Sequence, residues 1–588
     1  MLIRQLTLRR FGRFEDFTWY PSVGINCLIG PGDAGKTTIL DAIGRATSAA
    51  PAAAASEHDY FRRRTEARFE IEMCIGDLSP ELKGAFRPPA LWGWQGEGNE
   101  LRTAPIEGAD AVVRVLVRGT ADLETEHRVL SPDGEELSLS VDKRRLLGLC
   151  RVGEMRGSSR EFRMARGSML ERTLGREDVR GAAAVAVRVA SEQLLLPEEV
   201  EARLATLGAH LQREGVTTDE VTLEVLSPPG QSLLGLLGLA VGQRGEAISL
   251  ASAGQGTQRL ASFVLARELA VARQLSGTPL VVMDEVELGL EPYRRRLLVQ
   301  QLRRLLGASG QAFLTTHSST VLAELRVEEL HRLDWRTADD NAARPRVTRL
   351  GSALQKAKQQ DAESLLCRLP IVCEGATEQR LVRALLDVCA VAAGSSLAAL
   401  GVHAVDGGGQ PHAFSVIDAY REAGFELGMF LDDEQKHSGE RAKRAAYPEV
   451  VAGTWSGRSC TEHALAHGLS LAQLDELLGI GDPDVDRLDE RRRKQLCAAI
   501  GSKSEHGAQV LLADYAEEQV RDAWGRAAHE RNWFKPRAHG EALVAWLIQP
   551  GRLPAGMAAD IRAFWDGLSK KLPRPGEADE GNGEDKRG

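Results

Sequence analysis

GPGDAGKTT, at Gly30–Thr38, joins a short apolar run that is typical of a strand to a segment with helical spacing. It matches the phosphate-binding pattern G-x-x-x-x-G-K-[ST]. The glycines let the backbone curl so that N–H groups face phosphate oxygens, and the following helix N-terminus adds a favourable potential. Lys36 is therefore expected to reach the β- and γ-phosphates of ATP, and the Thr37 hydroxyl to ligate Mg²⁺.

Two acids further along the chain complete the usual surroundings of such a loop. In PLVVMDEVE, Pro279–Glu287, they follow a four-residue apolar strand. Asp284 is expected to hold Mg²⁺ through water, and Glu285 to orient the attacking water. His317 follows another apolar strand, where it could sense the γ-phosphate or serve a structural role.

The stretch ASAGQGTQR, Ala251–Arg259, opens a predicted helix. With the two motifs above it resembles the ATP-binding-cassette superfamily, in the branch of SMC-like and RecF-like DNA-maintenance ATPases. The resemblance places Ser252, Gly254 and Gln255 in the signature motif, which presents a helix N-terminus to the γ-phosphate of a partner's ATP. It therefore implies a homodimer. The residues expected to bind nucleotide are Gly30, Gly32, Gly35, Lys36, Thr37, Thr38, Ser252, Gly254, Gln255, Asp284 and His317.

This sequence departs from the superfamily in one motif near the loop. The glutamine expected between the two halves of the site is not evident, and SEHDYF is the corresponding stretch. Either His58 or Asp59 could take its place.

A second acidic site is predicted after the ATP motifs. In LPIVCEGATEQR, Leu369–Arg380, Glu374 follows a buried strand and Glu378 lies on the first turn of the next helix. A further strand ends in the acids 432–434. Because parallel strands with right-handed crossovers end at one edge of a sheet, these carboxylates are expected to converge there. Oxygen ligands of this type suit Mg²⁺ or Mn²⁺.

This arrangement resembles the TOPRIM domain of topoisomerases, primases and some nucleases. The resemblance makes Glu374 the strand-end glutamate and implies two metal ions about 4 Å apart, which would activate water and stabilise the leaving oxygen of a phosphodiester. The family has D-x-D at the later strand end, whereas this chain reads Asp432, Asp433 and Glu434. Which two of these three bind metal stays open.

An ABC-type ATPase followed by TOPRIM resembles the overcoming-lysogenization-defect (OLD) family of nucleases, over residues 1 to about 550. The resemblance implies an ATP-regulated, metal-dependent DNA endonuclease or nickase acting on double-stranded DNA, in phage defence or DNA processing. A later glutamate and a lysine complete the family's site. Glu462 is the candidate metal ligand, and Lys535 the candidate for neutralising charge on the phosphate. By spacing alone, an ordinary surface role is the better interpretation of either residue.

The fold class is therefore α/β, with an ABC-type ATPase domain that carries an inserted helical dimerisation module, followed by a Rossmann-like TOPRIM domain. The polar stretch 337–346 is the best candidate for a linker. The predicted domains are an N-terminal ATPase half at 1–158, the inserted module at 159–215, the C-terminal ATPase half at 216–350, the TOPRIM nuclease domain at 366–570 and a disordered tail at 571–588.

Composition narrows the class of protein. At 588 residues the chain is too long for one core, and its net charge of −9 argues against a generally basic nucleic-acid-coating protein. The arginine runs 294–296 and 491–494 could be local basic patches or solvated helix faces. The eight cysteines include no C-x-x-C pair, which disfavours zinc ribbons and redox motifs. With no signal-peptide layout or long apolar run, a cytoplasmic location without membrane contact is expected.

Two other functions fit parts of the sequence. A TOPRIM topoisomerase would need a nucleophilic tyrosine, and none of the six tyrosines has a recognisable context; a primase zinc module is also missing. A non-cutting ATPase that scaffolds DNA or an unknown partner protein would leave the acids structural.

Overall fold

The structure is a computed structural model of the whole chain. The residues that it describes are 1–47, 55–86, 90–96, 98–104, 110–147, 149–152, 161–165, 168–175, 179, 196–216, 219–225, 237–243, 246–272, 279–337, 343–432, 444–457, 460–481, 485–502, 511 and 514–572. The chain divides into two compact units, Met1–Leu350 and Gly351–Gly588, which we call unit 1 and unit 2.

Unit 1 combines strands and helices. Its described strands are β1 (Leu2–Phe11), β2 (Phe14–Trp19), β3 (Gly24–Ile29), β4 (Glu70–Gly76), β5 (Leu91–Gln95), β6 (Glu100–Arg102), β7 (Asp110–Gly119), β8 (Thr125–Leu130), β9 (Glu136–Ser138), β10 (Leu149–Val152), β11 (Val221–Val225), β12 (Leu237–Gln243), β13 (Glu246–Ser249), β14 (Leu280–Met283), β15 (Gln311–Thr315), β16 (Leu330–Thr337) and β17 (Ala343–Arg349). Its described helices are α1 (Lys36–Thr47), α2 (Pro80–Phe86), α3 (Val141–Leu146), α4 (Met169–Leu174), α5 (Glu198–Arg213), α6 (Gln255–Ala272), α7 (Pro292–Leu306) and α8 (Ser319–Glu324).

Two large sheets enclose α1. The first is antiparallel, in the order β2-β1-β4-β7-β5-β6, with β8 and β9 attached to β7. The second has the order β10-β14-β15-β3-β16-β17, and its first five strands are parallel. Apolar side chains of α1, among them Ile39, Leu40 and Ile43, share one core with both sheets. Because parallel strands end at a common edge, the segments after β3, β14 and β15 meet there.

The predicted linker at 337–346 was wrong. β16 and β17 form an antiparallel hairpin at the edge of the parallel sheet, paired from His331↔Arg349 to Thr337↔Ala343. Residues 338–342, between them, lie outside the described part. The polar composition that suggested a linker reflects an edge strand, because most β17 side chains are at least partly exposed.

The predicted inserted module at 159–215 is described only in part. Its helix α5 buries Val200, Leu204, Leu207 and Leu211 along one face, at the spacing of an amphipathic helix. Both α4 and α5 contact α6, and Arg267 on α6 bonds to Glu214 at 3.1 Å. These helices therefore pack on the helix that the signature motif opens.

Unit 2 is built around a smaller sheet. Its described strands are β18 (Leu369–Cys373), β19 (Val402–Asp406), β20 (Gly428–Phe430) and β21 (Val451–Gly453). Its described helices are α9 (Gln355–Gln360), α10 (Ala376–Ala392), α11 (Gln410–Glu422), α12 (Thr461–Gly468), α13 (Leu471–Glu476), α14 (Val485–Ile500), α15 (Glu517–Glu530), α16 (Arg537–Leu547) and α17 (Ala555–Ser569).

The sheet of unit 2 has the order β19-β18-β20-β21, and all its pairs are parallel. This confirms the parallel arrangement predicted for the first three strands. The fourth strand, β21, was not predicted, because its three residues carry too short a pattern. Every residue of β18 is buried, which accounts for its unbroken apolar sequence. Glu374 and Asp432 follow β18 and β20 at the same edge.

Two further points concern the ends and surfaces of the chain. Of the tail predicted to be disordered, 571–588, all but the first two residues lie outside the described part. Among the described helices, none has both the length and the apolar character that a bilayer crossing requires.

Candidate functional site

The loop between β3 and α1 depends on its glycines. Gly30 has φ +140°, and a Cβ there would lie 2.2 Å from the Leu333 carbonyl oxygen. Gly35 has φ +104°, and a Cβ there would lie 2.6 Å from Phe14 Cζ. Side chains at either position would be strained and would collide with β16 or β2. The loop conformation is thus fixed by unit 1 before any nucleotide is present.

Lys36 turns back onto the loop. Its Nζ donates hydrogen bonds to the carbonyl oxygens of Gly30, at 3.0 Å, and of Pro31, at 2.7 Å. The residue is 6% exposed, and burial lowers the pKa of its ammonium, against the opposing effect of Asp284. An anion placed in the loop would give this ammonium a stronger partner than two carbonyls.

The predicted magnesium residues of unit 1 meet one another. The Thr37 hydroxyl donates to Asp284 Oδ1 at 3.4 Å, and the Thr315 hydroxyl donates to the same oxygen. Thr315 also accepts a hydrogen bond from the backbone N–H of Glu285 at 2.7 Å. The ends of β14 and β15 therefore hold both acids beside the start of α1.

Glu285 lies in a strained turn. Its φ is +47°, a left-handed conformation that costs a non-glycine residue free energy unless its surroundings impose it. Arg259, on α6 and 4% exposed, donates from Nη1 to the carbonyl oxygens of both Asp284 and Glu285. Burial lowers the pKa of Arg259, while Glu287 and the two acids of this turn oppose that effect. Arg259 was not among the predicted site residues, although it ends the quoted signature stretch.

The predicted signature residues lie elsewhere on the surface of unit 1. Ser252, Gly254 and Gln255 are exposed, and none of them lines the pocket around the phosphate loop. The start of α6 packs tightly against the segment after β14, since a Cβ on Gly256 would lie 2.0 Å from the Gly289 carbonyl oxygen. This end of α6 is therefore rigidly placed but open to an external partner.

A cavity of about 670 Å³ lies over the phosphate loop. It contains most of the predicted loop residues, together with Glu285 and His317. It also contains residues that the sequence analysis did not select. Its described lining is Gly12, Arg13, Gly32, Asp33, Gly35, Lys36, Thr37, Thr38, His58, Tyr60, Phe61, Arg62, Arg63, Glu285 and His317.

The cavity has a cationic side that was missed. Arg13, Arg62 and Arg63 line it with exposed side chains. Arg62 and Arg63 are consecutive left-handed residues, at φ +53° and +55°. In the sequence they belong to the run RRR that directly follows SEHDYF. A run of arginines alone does not indicate a nucleotide pocket. Positive charge here complements a triphosphate.

The structure also distinguishes between the two residues that could take the place of the missing glutamine. His58 lines the cavity. Asp59 instead accepts a hydrogen bond from Arg45 Nη2 at 2.7 Å. His58 is therefore the better placed of the two.

Two other missed residues support the site. Glu287 accepts from the backbone N–H of His317 at 2.6 Å and from the Thr316 hydroxyl at 2.7 Å, which fixes the loop that carries His317. Trp335, on β16, donates from Nε1 to the Ala34 carbonyl at 3.0 Å, and its ring stacks on Phe14. The edge hairpin β16–β17 therefore contacts the phosphate loop and helps to hold it in place.

A carboxylate cluster lies at the edge of the sheet in unit 2. The backbone N–H of Asp432 donates to Glu374 Oε2 at 3.1 Å, which joins the ends of β18 and β20. Glu378, on the first turn of α10, is 6% exposed, and Asp432 is 5% exposed. Burial, together with the neighbouring carboxylates of Glu462 and Glu374, raises the pKa of Glu378 to about 7.

The surroundings of Cys373 and Asp406 show that these carboxylates lie close to one another. Cys373, the last residue of β18, is fully buried, and its pKa is raised by burial and by Glu378, Asp406 and Asp432. Asp406, at the end of β19, was not predicted; its Oδ1 accepts from the Gly408 N–H at 2.8 Å. The strand ends thus bring together Glu374, Glu378, Asp406 and Asp432, with Glu462 beside Glu378.

The remaining predicted residues of this site stand apart. Asp433 and Glu434 lie outside the described residues. Of the three acids that could bind metal at this strand end, the structure describes Asp432, which is buried in the cluster. Lys535 lies in an exposed turn before α16, where its carbonyl accepts from Arg380 Nη1 at 2.9 Å. Within the described residues, no contact of the Lys535 side chain links it to the carboxylates.

The donor set fits a hard divalent cation. The cluster offers carboxylate oxygens alone, which are the preferred ligands of Mg²⁺ and Mn²⁺. Gathering buried carboxylates is unfavourable without positive charge between them, as the raised pKa of Glu378 indicates. The chemistry of these side chains is therefore compatible with a divalent cation.

Two protein-family profiles match the chain, both in unit 1. One is described as "AAA domain, putative AbiEii toxin, Type IV TA system" and matches residues 148–323. The other is described as "AAA domain" and matches residues 5–79. The second match contains the phosphate loop, and the first contains the signature stretch, the two acids after β14 and His317.

Several solved structures are similar to part of the chain, at low identity. An SMC head bound to the C-terminal winged-helix domain of ScpA is 14% identical, covering 60% of this chain and 99% of its own, with a TM-score of 0.37. A Pyrococcus furiosus SMC head bound to the C-terminal domain of ScpA is 12% identical, covering 61% and 98%, with a TM-score of 0.35. The Thermotoga maritima SMC head domain is 12% identical, covering 60% and 100%, with a TM-score of 0.29.

These TM-scores are too low to support conclusions about fold or function. No curated protein matches the chain. The profile matches and the geometry of the phosphate loop agree independently on the chemistry of unit 1. Residues 5–79 and 148–323 form an AAA-type ATPase domain.

Proposed function

We propose that this protein is an ATP-regulated, divalent-metal-dependent DNA endonuclease or nickase, with the ATPase in unit 1 and the cutting site in unit 2. The observation that carries the proposal is the carboxylate cluster at the edge of the parallel sheet. Burying carboxylates beside one another costs free energy, as the raised pKa of Glu378 indicates, and bound divalent cations would offset that cost.

The residues of the cluster have distinct tasks in this proposal. Glu374, Glu378, Asp432 and Glu462 hold the metal ions, and Asp433 and Glu434 remain candidates for the same role. Two ions bound here would activate water and stabilise the leaving oxygen of a phosphodiester. Lys535 would neutralise charge on the phosphate, which requires its exposed turn to face the DNA. The OLD resemblance extends the proposal to phage defence or DNA processing.

Unit 1 supplies the nucleotide dependence. Lys36 exchanges two loop carbonyls for the phosphates of ATP, Thr37 and Asp284 hold Mg²⁺, and Glu285 orients the attacking water. The exposed signature residues Ser252, Gly254 and Gln255 lie outside the phosphate-loop cavity of their own chain. This position supports a homodimer whose subunits complete one another's ATP sites. The helices of the inserted module are proposed to add to that dimer.

The test is cleavage of supercoiled plasmid by the full-length protein with Mg²⁺ or Mn²⁺. We expect Glu374→Ala to reduce nicking at least about 100-fold, because it removes an ion ligand. Glu490→Ala is the matched control, since this exposed carboxylate pairs with Lys494 on α14, at 2.9 Å. Circular dichroism should show that both variants are folded.

The same assay tests nucleotide control. Lys36→Ala should abolish any effect of ATP on nicking, and Glu285→Gln should retain ATP binding while hydrolysis falls. Nicking that survives Glu374→Ala would show that the cutting site lies elsewhere. If wild type cuts with neither metal, the non-cutting scaffold becomes the better proposal, and cleavage that ignores ATP and Lys36→Ala alike would remove the regulatory part.

A further inference from the structure

Three different metal-ligand types converge at one end of α12. Cys460 immediately precedes this helix, Glu462 lies on its first turn, and His529 lies on the last turn of α15. One ligand atom from each residue lies within 4.8 Å of the other two. The carboxylate cluster offers oxygen alone, so this group differs from it in chemistry.

The two helices that carry the group are held firmly together. A Cβ on Gly525 of α15 would lie 2.1 Å from the His463 ring on α12, so only glycine permits this approach. Arg521 Nη1 donates to the carbonyl oxygens of Ala466 and Leu469, each at 2.5 Å. The group is therefore placed by packed elements rather than by mobile loops.

The first turn of α12 is fixed from the other side as well. Trp455 Nε1 donates to the Thr461 hydroxyl at 2.8 Å, and Trp455 is 1% exposed. Thr461 in turn hydrogen-bonds Glu378. Cys460 and Glu462, the neighbours of Thr461, are consequently locked in register with the carboxylate cluster.

The distances suit one small ion. His529 Nδ1 and Glu462 Oε2 are 3.4 Å apart. A tetrahedral zinc ion with N and O ligands at about 2.0–2.1 Å separates those atoms by about 3.3–3.4 Å. The Cys460 sulfur needs a separation of about 3.5 Å at the usual zinc–sulfur length of about 2.3 Å. Adjustment of side-chain rotamers by about 1 Å therefore closes the site.

We propose that Cys460, Glu462 and His529 bind a transition-metal ion, with zinc as the preferred ion and a fourth position open to solvent. Thiolate and imidazole favour zinc over Mg²⁺, which prefers oxygen. Cys460 is fully buried and Glu462 is 6% exposed, whereas the His529 side chain is 45% exposed and leaves an entry path. Three protein ligands and one open position are the pattern of zinc sites that carry an exchangeable group.

The ion would fasten α12 to α15. Since Glu462 also acts on Glu378, it would fix the position of that part of the carboxylate cluster. The competing explanation is a core cysteine beside an ordinary surface histidine–glutamate pair. The proposal shares Glu462 with the proposed cutting site, but it does not depend on DNA cleavage, because Cys460 and His529 are not part of that site and the readout is metal binding.

Cobalt substitution in the full-length protein tests this site. After treatment with a chelator, the protein is titrated with Co²⁺, and the near-ultraviolet thiolate-to-cobalt charge-transfer band is followed, with Zn²⁺ as competitor. We expect the band to appear as one Co²⁺ binds per chain and to disappear on adding Zn²⁺. Elemental analysis after dialysis should find zinc retained, with protons released on binding as the thiol is deprotonated.

Variants assign the ligands. Cys460→Ser should abolish the band, and His529→Gln, at an exposed position that does not endanger folding, should weaken Co²⁺ binding at least about tenfold. Cys497→Ser removes another buried thiol of unit 2 and should keep the band. Glu374→Ala should keep it too, which separates this site from the carboxylate cluster. No band in wild type, or a band that survives Cys460→Ser, would overturn the proposal.

Discussion

Arg259 connects two motifs that lie 25 residues apart. Its guanidinium, buried on α6, donates to the carbonyl of Asp284 and to that of Glu285, the residue held at φ +47°. Both hydrogen bonds come from one nitrogen, Nη1, which lies one bond farther from the backbone than a lysine ammonium would. The helix that begins beside the exposed signature residues therefore positions Glu285, the acid proposed to orient water in the cavity.

We predict that Arg259→Lys will reduce the rate of ATP hydrolysis by about 10- to 100-fold while changing the affinity for ATP much less. The reason is that the shorter lysine side chain withdraws its donor from both carbonyl oxygens of the strained turn, which displaces the Glu285 carboxylate. Steady-state hydrolysis and equilibrium binding of a fluorescent ATP analogue measure the two effects separately.

The matched control is Arg304→Lys, an exposed position on α7. It should leave both quantities unchanged. If Arg259→Lys hydrolyses ATP at the wild-type rate, the guanidinium does not position Glu285. If it loses ATP affinity in parallel with rate, Arg259 acts on the whole pocket rather than on one residue.

At the scale of elements, the run 491–494 shows that consecutive basic residues need not form a basic surface patch. In 491–494, two residues form exposed i,i+4 pairs on α14, Arg493 with Asp489 at 2.7 Å and Lys494 with Glu490 at 2.9 Å. Arg492 is 1% exposed and serves a structural purpose. It donates to the carbonyl oxygens of Leu477, Leu478 and Ile480 after α13 and to that of Trp533, while its guanidinium lies over the Trp533 and Phe534 rings.

We predict that Arg492→Leu will lower the free energy of unfolding of unit 2 by at least about 3 kcal/mol. Four carbonyls, three of them in buried contacts, lose this donor, and each unsatisfied buried group costs about 1–3 kcal/mol, although some regain water. Arg491→Leu, at an exposed neighbouring position, should change stability by no more than about 0.5 kcal/mol. Thermal or urea unfolding of the full chain, followed by tryptophan fluorescence, measures both; equal stabilities would mean that the buried contacts contribute nothing net.

Elements that carry a strong local pattern were predictable, and those defined by their neighbours were not. β18 is apolar throughout because both faces are covered, so its strand end at Glu374 could be placed from the sequence. β17 is a polar edge strand that exists through pairing with β16, so it was taken for a linker. β21 is only three residues long and depends on pairing with β20.

The same distinction applies to the sites. Motifs with fixed spacing, such as the phosphate loop, could be located by residue. Arg13 and Arg62 reach the cavity from separate turns, and Asp406 reaches the carboxylates from a different strand. Their placement depends on tertiary structure, which no local spacing encodes.

At the scale of the whole molecule, the predicted signature residues lie outside the cavity over the phosphate loop of their own chain. The cavity over the phosphate loop is lined by the loop, the arginines and Glu285, and the signature residues Ser252 and Gly254 are exposed outside it. A helix N-terminus such as that of α6 favours an anion brought to it. In the proposed homodimer, each chain would present this end of α6 to the nucleotide held by the other.

A mixing experiment tests this arrangement in full. Lys36→Ala removes the loop ammonium but leaves the signature intact, and Ser252→Arg blocks the signature but leaves the loop intact, so each variant alone should hydrolyse ATP at a small fraction of the wild-type rate. In an equal mixture, half of the dimers are mixed and each of these has one complete site, so hydrolysis should recover to about a quarter of the wild-type rate. The control is a mixture of Lys36→Ala with Glu285→Gln, in which every complete loop has lost its catalytic acid and no recovery is expected. If the first mixture remains inactive although cross-linking shows mixed dimers, the signature must serve its own chain's nucleotide, and the dimer has another purpose.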